Sequence, residues 1–388
     1  MIRAPGPGTA FAIDPSSVAR AQVLMSCAAL EPTLGFFVEK LGFRIDAIHP
    51  ADNPSIAEIS GHGLAIRLVK GATGGVSVVY LLCDDPEATG AGATSLRAPN
   101  GVIVELVAEN PQMSVPATKQ ALALTRASGD ALWKAGRAGM RYRDLLPERH
   151  GGAFVVSHIR IPEGGPVADY VHFHRIRFQA IFCRKGWVRV VYEGQGEPFL
   201  LEAGDCVLQP PLIRHRVLES SAGAEVIEIV APAEHMTVAD HQLTLPTPDR
   251  QSGRDFSGQR FVRHVAATAS WAPWRIRGFE SSDTGIAAAT GGLAGMRVVR
   301  ANGVQPAVRQ SHDTEFCFYY VLSGAVTVEL DRGPQVLAAD DSFAIPGGLT
   351  YALADASADL ALLEITLPGE VGEIGRRNAA APGSPQVP

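Results

Sequence analysis

The feature that most constrains the fold is an internal repeat in the second half of the chain. Residues 170–190, YVHFHRIRFQAIFCRKGWVRV, align at a constant offset with residues 308–328, VRQSHDTEFCFYYVLSGAVTV. Equivalent positions keep their residue type in the pairs His174 and His312, Phe178 and Phe316, and Gly186 and Gly324. After a two-residue deletion, LQPPLIRH at 208–215 matches AIPGGLTY at 344–351. A sequence unit that is used twice predicts two copies of one domain.

Turn residues divide the repeated region into short apolar runs. Between Gly151 and about Pro232 these runs are AFVVSHIRI, DYVHFH, FQAIFCR, WVRVVYE, FLLE, CVLQ, HRVLES and EVIEIV. Closely spaced strands with frequent turns are typical of small barrels and jelly rolls. We therefore predict a mainly β chain with two tandem barrels, over residues 151–233 and 285–367. A more polar connection over 234–284 separates them, and a disordered tail over 368–388 follows the second.

The N-terminal third has a different pattern. RAQVLMSC predicts a strand over residues 20–27, and EPTLGFFVEKLGF at 31–43 has apolar residues at helical spacing before a glycine. Short strands separated by Gly, Pro and Asn continue to about residue 109. This pattern predicts an α+β module over residues 18–109. A helical linker over 110–150 follows, with its helix from about Ala121 to Leu132.

This N-terminal module resembles one βαβββ unit of the vicinal-oxygen-chelate (glyoxalase and bleomycin-resistance) family. VSVVYLLCDDPEATG and LRAPNGVIVELV look like the first and last strands of a shortened second copy. In that family the metal ligands are a His on each first strand and a Glu on each last strand. Glu105 stands at the Glu position, but the first strands AQVLMSC and VSVVYLL contain no His. The resemblance therefore implies a structural or dimer-forming module without a metal.

Three histidines in the first repeat have the spacing of metal ligands. His172 and His174 are two residues apart on a predicted strand, so their side chains project from the same face. Gln179 follows on the next strand, and His215 ends a G-x5-P-x4-H segment. A barrel would bring these strands together. The pattern predicts a site for one divalent metal.

This pattern resembles the cupin signature, G-x5-H-x-H-x3,4-E-x6-G followed by G-x5-P-x-G-x2-H-x3-N. The resemblance implies that His172, His174 and His215 are the metal histidines. Pro166 stands where the first Gly belongs, and Leu212 replaces the later Gly. Gln179 occupies the position of the family's glutamate ligand, where it can ligate weakly through its amide oxygen or leave the position to water.

Replacing that glutamate with Gln179 removes a negative charge from the predicted site. Without the carboxylate the inner shell keeps the full +2 charge of the ion, which favours an anionic substrate. Neutral ligands of this kind suit Fe(II), and Zn, Mn, Ni, Co and Cu remain alternatives.

The second repeat has lost most of these ligands. Gln310, His312, Cys317 and Tyr351 stand at the equivalent positions, so we expect a degenerate site and a scaffolding role. Two further residues of the first barrel are candidates for acid–base chemistry or substrate contact. His158 lies on the strand AFVVSHIRI, and Tyr192 shares its strand parity with inward-facing valines.

Three classes of function fit these residues. The resemblance to quercetinase-like, homogentisate-like and diketone-cleaving dioxygenases implies a mononuclear non-haem Fe(II) dioxygenase that acts on a small enolic, phenolic or carboxylate substrate. The alternative is a metal-dependent isomerase, decarboxylase or lyase that does not use O₂, because the same fold hosts these activities. The third class is a non-catalytic protein that binds small molecules.

Charge and cysteine content limit the partners. A net charge of −6 does not favour nucleic acid or an anionic membrane as a partner. The five cysteines have no C-x-x-C spacing, and the N-terminal segment has no apolar signal region. We expect a cytoplasmic protein whose partners are a small anionic substrate and, for an oxygenase, O₂. A homo-oligomer is also expected, with a dimer favoured.

Overall fold

In a computed structural model of the chain, the described residues are 13–71, 78–97, 103–127, 133–136, 139–303 and 307–372. They form two compact units. Unit 1 contains the residues up to Ser114 together with Tyr170–Arg175 and Glu234–Leu243. Unit 2 contains Val115–Asp169, Ile176–Ala233 and the residues from Thr244 onward.

Strands dominate both units. The strands up to residue 144 are β1 (Val18–Cys27), β2 (Arg44–His49), β3 (Ile56–Gly61), β4 (Leu64–Lys70), β5 (Val78–Cys83), β6 (Ser95–Arg97), β7 (Ile103–Ala108), β8 (Ala123–Thr125), β9 (Lys134–Ala135) and β10 (Arg141–Asp144). The next are β11 (Val155–Ile161), β12 (Gly165–Pro166), β13 (His172–His174), β14 (Phe178–Lys185), β15 (Trp187–Tyr192), β16 (Phe199–Glu202), β17 (Cys206–Leu208), β18 (His215–Ser220), β19 (Ala224–Ala231) and β20 (Thr237–Ala239). The last are β21 (Val262–His264), β22 (Ala272–Pro273), β23 (Phe279–Asp283), β24 (Gly295–Ala301), β25 (Phe316–Ser323), β26 (Ala325–Leu330), β27 (Gln335–Ala338), β28 (Ser342–Ala344), β29 (Tyr351–Ala354) and β30 (Ala361–Leu367).

The helices of the described residues are short. They are α1 (Leu30–Gly35), which continues as a π-helical turn over Phe36–Lys40, α2 (Pro86–Thr89) and α3 (Ile286–Ala289). Single 3₁₀ turns span Pro15–Ser17, Arg149–Gly152 and Ala266–Thr268. No helix among the described residues has the length and apolar character that crossing a membrane requires. The prediction of a mainly β chain is confirmed.

Unit 1 is built around a mixed sheet. Strand β1 pairs in parallel with β4 and antiparallel with β5, while β2, β3 and β4 form an antiparallel meander. The predicted helix over residues 31–43 is α1 with its π-helical turn, and Leu30, Leu34 and Phe37 pack with the apolar face of the sheet. The strand–helix–strand order agrees with the predicted α+β module. Its resemblance to the vicinal-oxygen-chelate family stays a prediction.

Two short strands extend this sheet. β20 pairs antiparallel with β2, where Ala47 meets Val238. On its other side β20 pairs with β13, where His172 meets Ala239 and His174 meets Thr237. The strand that contains the two predicted metal histidines is therefore held by backbone hydrogen bonds within unit 1.

Unit 2 contains two barrels with the same strand arrangement. In the first barrel one sheet has the order β21-β17-β14-β19-β11-β10-β9, and β16, β15, β18 and β12 pair in the other. In the second barrel the order β22-β23-β24-β30-β25-β28-β8 faces β27-β26-β29. The predicted tandem barrels are confirmed.

The repeat identified in the sequence is visible in the turns. Gly186 and Gly324 both have a left-handed backbone, with φ of 69° and 70°. A Cβ at either would approach the hydroxyl of Ser221 or Ser357 to within 2.3 Å, so only glycine fits this hairpin.

Alternating side chains form three apolar clusters in unit 2. One cluster fills the first barrel and includes Cys183, Val190 and Tyr192. A second fills the other barrel. The third lies between the barrels, where Phe154 stacks on Phe316 with ring centroids 4.2 Å apart. Successive residues of β14 and β19 therefore face two different cores.

One expectation about the connections is wrong. The predicted helix over Ala121–Leu132 is a strand where it is described, because β8 pairs with β28 and the alternating Leu122 and Leu124 pack on the second barrel's core. Residues 128–132 lie outside the described residues. The polar connection over 234–284 supplies β20 to β23, which pair within the sheets. Of the predicted disordered tail, residues 373–388 lie outside the described residues.

Candidate metal centre

His172 and His174 occupy alternate positions of β13, and both are buried. His172 Nδ1 lies 2.8 Å from the carbonyl oxygen of Tyr170, and His174 Nδ1 lies 3.0 Å from the hydroxyl of Thr237. A carbonyl oxygen only accepts hydrogen bonds, so Nδ1 of His172 is the protonated nitrogen. The lone pair of that neutral ring is then on Nε2, which is the atom suited to a metal.

His215 is positioned by an unusual turn. It begins β18, and its Nδ1 donates to the carbonyl oxygen of Ile213 at 3.0 Å. Three residues earlier, Leu212 has a φ of +66°. The repeat-equivalent residue is Gly348, with a φ of +79°. The turn before the last histidine thus keeps the left-handed backbone of the glycine that Leu212 replaces, and the leucine must tolerate it.

The three histidines come together. One ligand atom from each of His172, His174 and His215 lies within 4.8 Å of the others, and all three side chains are buried. A carbonyl or hydroxyl oxygen contacts Nδ1 of each ring and orients it, which is the usual arrangement around metal-binding histidines. The donor set therefore fits a divalent transition metal bound by imidazole nitrogens. The assignment of these three histidines as metal ligands stays a prediction.

Gln179 lies in the interior of the first barrel and has a partner that the sequence analysis missed. Its side chain is 1% exposed, and Nε2 donates to Glu228 Oε1 at 2.8 Å. Its Oε1 is buried without a hydrogen-bond partner among the described residues. Glu228 lies on β19 and occupies the same repeat position as Glu364, because Ile181 and Tyr319 are their respective cross-strand partners. An acidic residue at the same position of an apolar strand in both repeats could have been found in the sequence, and it indicates a buried polar contact.

Tyr192 packs against the histidine that ends the motif. Its ring stacks on His215 with centroids 5.5 Å apart and lies 4.7 Å from the Phe261 ring at an interplanar angle of 46°. The side chain is 2% exposed. Burial, followed by the negative charge of Glu228, raises the pKa of Tyr192 well above its ordinary value. The phenol therefore keeps its proton and can act as a hydrogen-bond donor.

His158 takes part in a polar network within unit 2. Arg143 Nη2 donates to His158 Nδ1 at 3.1 Å, so the ring proton is on Nε2, which lies 2.8 Å from Glu225 Oε2. Burial lowers the pKa of His158 even though Glu225 opposes this. Tyr320 of the second barrel lies 3.3 Å from Nδ1. Both ring nitrogens are engaged in structural contacts, and a catalytic role for His158 stays a prediction.

The interior of the second barrel is filled by its own polar side chains. The hydroxyl of Tyr319 lies 3.0 Å from that of Tyr351 and 3.3 Å from Cys317 Sγ. Arg275 Nη2 donates to the Tyr319 hydroxyl at 2.6 Å, and its guanidinium forms an ion pair with the fully buried Glu364. An internal cation thus lies beside the positions that are equivalent to Gln179 and His215.

The other two predicted positions of this degenerate site, Gln310 and His312, are held by hydrogen bonds within the second barrel. His312 Nδ1 lies 2.8 Å from the hydroxyl of Thr314, and Gln310 exchanges backbone hydrogen bonds with Tyr351. Burial raises the pKa of the Cys317 thiol to about 12. In the metal-free protein, Cys317 is therefore a neutral thiol at neutral pH.

Comparisons with known proteins identify the fold of the second barrel. Residues 297–366 match the family model of the Cupin domain. A search of curated proteins finds no match to the chain.

Several solved structures are similar at low identity. Salicylate 1,2-dioxygenase from Pseudoaminobacter salicylatoxidans, with gentisate adducts, is 16% identical with a TM-score of 0.49, over 68% of this chain and 87% of that one. An oxalate decarboxylase variant from Bacillus subtilis is 11% identical with a TM-score of 0.47, over 68% and 81%. A putative glyoxylate-induced protein from Pseudomonas aeruginosa is 12% identical with a TM-score of 0.48, over 70% and 96%.

The family model matches the barrel that has lost the ligand set. The first barrel repeats the strand order of the second and has His215 at the position where the second has Tyr351. Residues 297–366 therefore resemble a cupin domain, and a barrel with the same strand order precedes them.

Proposed function

We propose that this protein is a metal-dependent enzyme in which His172, His174 and His215 hold one divalent ion. The observation that carries the proposal is the buried cluster of three imidazoles, with one ligand atom from each within 4.8 Å of the others. We infer that the reaction is a mononuclear non-haem Fe(II) dioxygenation of a small enolic, phenolic or carboxylate substrate. Bound Fe(II) would supply the redox chemistry that O₂ activation needs, with open coordination positions for an anionic substrate.

The residues around this cluster would bind and orient the substrate. The three histidines are buried, which keeps bulk water away and strengthens the electrostatic attraction for an anion. Tyr192 holds a phenol proton beside His215 and can donate a hydrogen bond to a substrate oxygen. Its ring also forms an apolar wall together with Phe261.

The similar solved structures include a protein named as a dioxygenase and another named as a decarboxylase. Because their identities and TM-scores are low, they do not choose between the two reactions. We favour dioxygenation because three neutral nitrogen ligands suit Fe(II) and leave positions open. Isomerase, decarboxylase or lyase chemistry is the alternative outcome of the test.

The test is O₂ consumption by protein that has been loaded anaerobically with Fe(II). We expect uptake of O₂ with at least one compound from a panel of enolic, phenolic and carboxylic acids. His215→Ala should abolish that uptake. His264→Ala, a half-buried histidine on β21, serves as the matched control and should retain it. Compounds that bind and are converted without O₂ would contradict dioxygenation, and binding of all compounds without any conversion would contradict enzyme activity.

A further inference from the structure

The amide of Gln179 has two ends with different surroundings. Its nitrogen donates to Glu228 Oε1 at 2.8 Å, whereas its oxygen is buried and has no hydrogen-bond partner among the described residues. Native proteins pair almost all buried polar atoms. The side chain is 1% exposed, so bulk water does not satisfy this oxygen. The unpartnered oxygen therefore indicates that a further group belongs beside it.

The hydrogen-bonding capacity of the Glu228 carboxylate fixes the orientation of the Gln179 amide. Oxygen and nitrogen of a side-chain amide are hard to tell apart from shape alone, and the hydrogen-bond network decides between them. An ionised carboxylate only accepts hydrogen bonds, so the NH₂ group of Gln179 must face Glu228. Oε1 is then the end that points away from Glu228.

Gln179 and Glu228 lie in the interior that also contains His215. On β14, Gln179 shares its parity with Ile181 and Cys183, which pack in the core of the first barrel. Tyr192 belongs to the same core and stacks on His215 at 5.5 Å. The unpartnered oxygen is thus in the same barrel interior as Tyr192 and the ring of His215.

The second barrel provides an internal comparison. Its residue equivalent to Glu228 is Glu364, which is fully buried and forms an ion pair with Arg275. In that barrel the carboxylate is matched by a cation and Cys317 replaces Gln179. In the first barrel the Glu228 carboxylate accepts from the Gln179 amide. Gln179 replaces the family's glutamate and so removes one negative charge from this interior. Glu228 places a carboxylate in the same interior.

From this arrangement, and resting on the proposed metal site, we propose that Glu228 is a positioning residue that turns Gln179 Oε1 toward the metal as an oxygen ligand. Glu228 acts through the amide and does not itself bind the ion. The site then has three imidazole nitrogens and one amide oxygen. An amide oxygen is a neutral and weaker ligand than a carboxylate, so its contribution depends on being held in the correct orientation.

The experiment is a double-mutant cycle read by Co(II) binding to the metal-free protein. The affinity and the visible d–d absorption spectrum are measured for wild type, Glu228→Ala, Gln179→Leu and the double variant. We expect wild type to bind one Co(II) and Glu228→Ala to weaken binding by at least about 10-fold, as the loss of a residue that orients a metal ligand typically does. In the Gln179→Leu background, the same Glu228→Ala change should alter affinity by less than about 2-fold, because the amide is already gone.

Two further variants control for folding and charge. Glu228→Gln keeps an oxygen that accepts from Gln179, so its Co(II) affinity should stay within about 3-fold of wild type. Glu219→Ala, at an exposed carboxylate on β18, should leave the affinity unchanged. Circular dichroism of each metal-free variant verifies that the barrels are folded.

The outcomes separate this inference from the proposed function. Equal weakening by Glu228→Ala in both backgrounds, or equal weakening by Glu228→Gln and Glu228→Ala, would mean that the carboxylate acts by charge and would overturn the inference. Unchanged affinity in all Glu228 variants of a protein that binds one Co(II) would also overturn it while leaving the metal site intact. A wild-type protein that binds no Co(II) would remove the proposed metal site itself.

Discussion

The pairing of Glu225 with His158 makes a quantitative prediction about stability and pH. Glu225 is 8% exposed, and its carboxylate accepts from His158 Nε2 at 2.8 Å and from Arg160 Nε at 3.0 Å. Burial alone would raise the pKa of Glu225. The hydrogen bond from His158 and the charge of Arg160 outweigh that effect and lower the pKa from its ordinary 4.5 to about 2. At about 1.4 kcal/mol for each pKa unit, this favours the folded state by about 3 kcal/mol when Glu225 is ionised.

The pKa shifts of Glu225 and His158 both make the folded state less stable in acid. Because the pKa of Glu225 is lower in the folded state, the stabilisation is fully present above about pH 4.5 and is lost as pH falls toward 2. The lowered pKa of His158 acts in the same direction. Because the folded state holds this imidazole neutral, the free energy of unfolding decreases as pH falls below 6.5. The folded state should therefore become steadily less stable under acid.

Glu225→Gln tests this reasoning. Urea unfolding of the metal-free protein is followed by tryptophan fluorescence, and Trp133, 4.9 Å from His158, is a local reporter. We expect the variant to lose about 3 kcal/mol of unfolding free energy at pH 7 and about half of that at pH 3. Glu219→Gln, whose ion pair with Arg189 is exposed and 3.9 Å long, should change stability by less than about 0.5 kcal/mol. An equal loss at pH 7 and pH 3 would refute the assignment to an ionised Glu225.

Three other substitutions or treatments test the packing and the turns. Leu212→Gly should raise the unfolding free energy by about 0.5–1 kcal/mol, because glycine tolerates the φ of +66°, and an unchanged urea midpoint would contradict this. Phe316→Ala should cost about 3–5 kcal/mol, since the ring is buried between the barrels and stacks on Phe154; a loss below about 1 kcal/mol in denaturant titration would contradict that packing. The five cysteines are buried free thiols, and burial raises the pKa of Cys183 and Cys317 to about 12, so a disulfide reagent at pH 8 should label the folded protein at a small fraction of the rate seen in denaturant. Rapid labelling without denaturant would argue against the closed cores.

Spacing along the chain is the basis for predicting that the histidines converge. Two histidines at alternate positions of a strand must share a face, and a barrel brings that face to His215. The repeat likewise predicted two barrels, because one set of apolar runs occurs twice. Both inferences depend on local periodicity, which the sequence records directly.

Contacts between segments that are distant in the sequence cannot be predicted from local periodicity. The His158 network joins β10, β11 and β19 of the first barrel to Tyr320 of the second, 162 residues along the chain. The predicted linker helix was wrong. The alternating Leu122 and Leu124 bury their side chains against the second barrel's core when the segment is a strand, and this packing outweighs the helix propensity of the neighbouring alanines. Glu228 was missed because an acidic residue in an apolar strand was read without its repeat partner Glu364.

The measurement that tests the central claim most directly is elemental analysis of the purified full-length protein, with metal content expressed per chain. We predict one first-row divalent metal ion per chain in wild type and none above background in His172→Ala or His215→Ala. His264→Ala, the control, should retain it. Two ions per chain would contradict the assignment of a degenerate second barrel, and a metal content unchanged by both histidine variants would contradict the proposed metal centre.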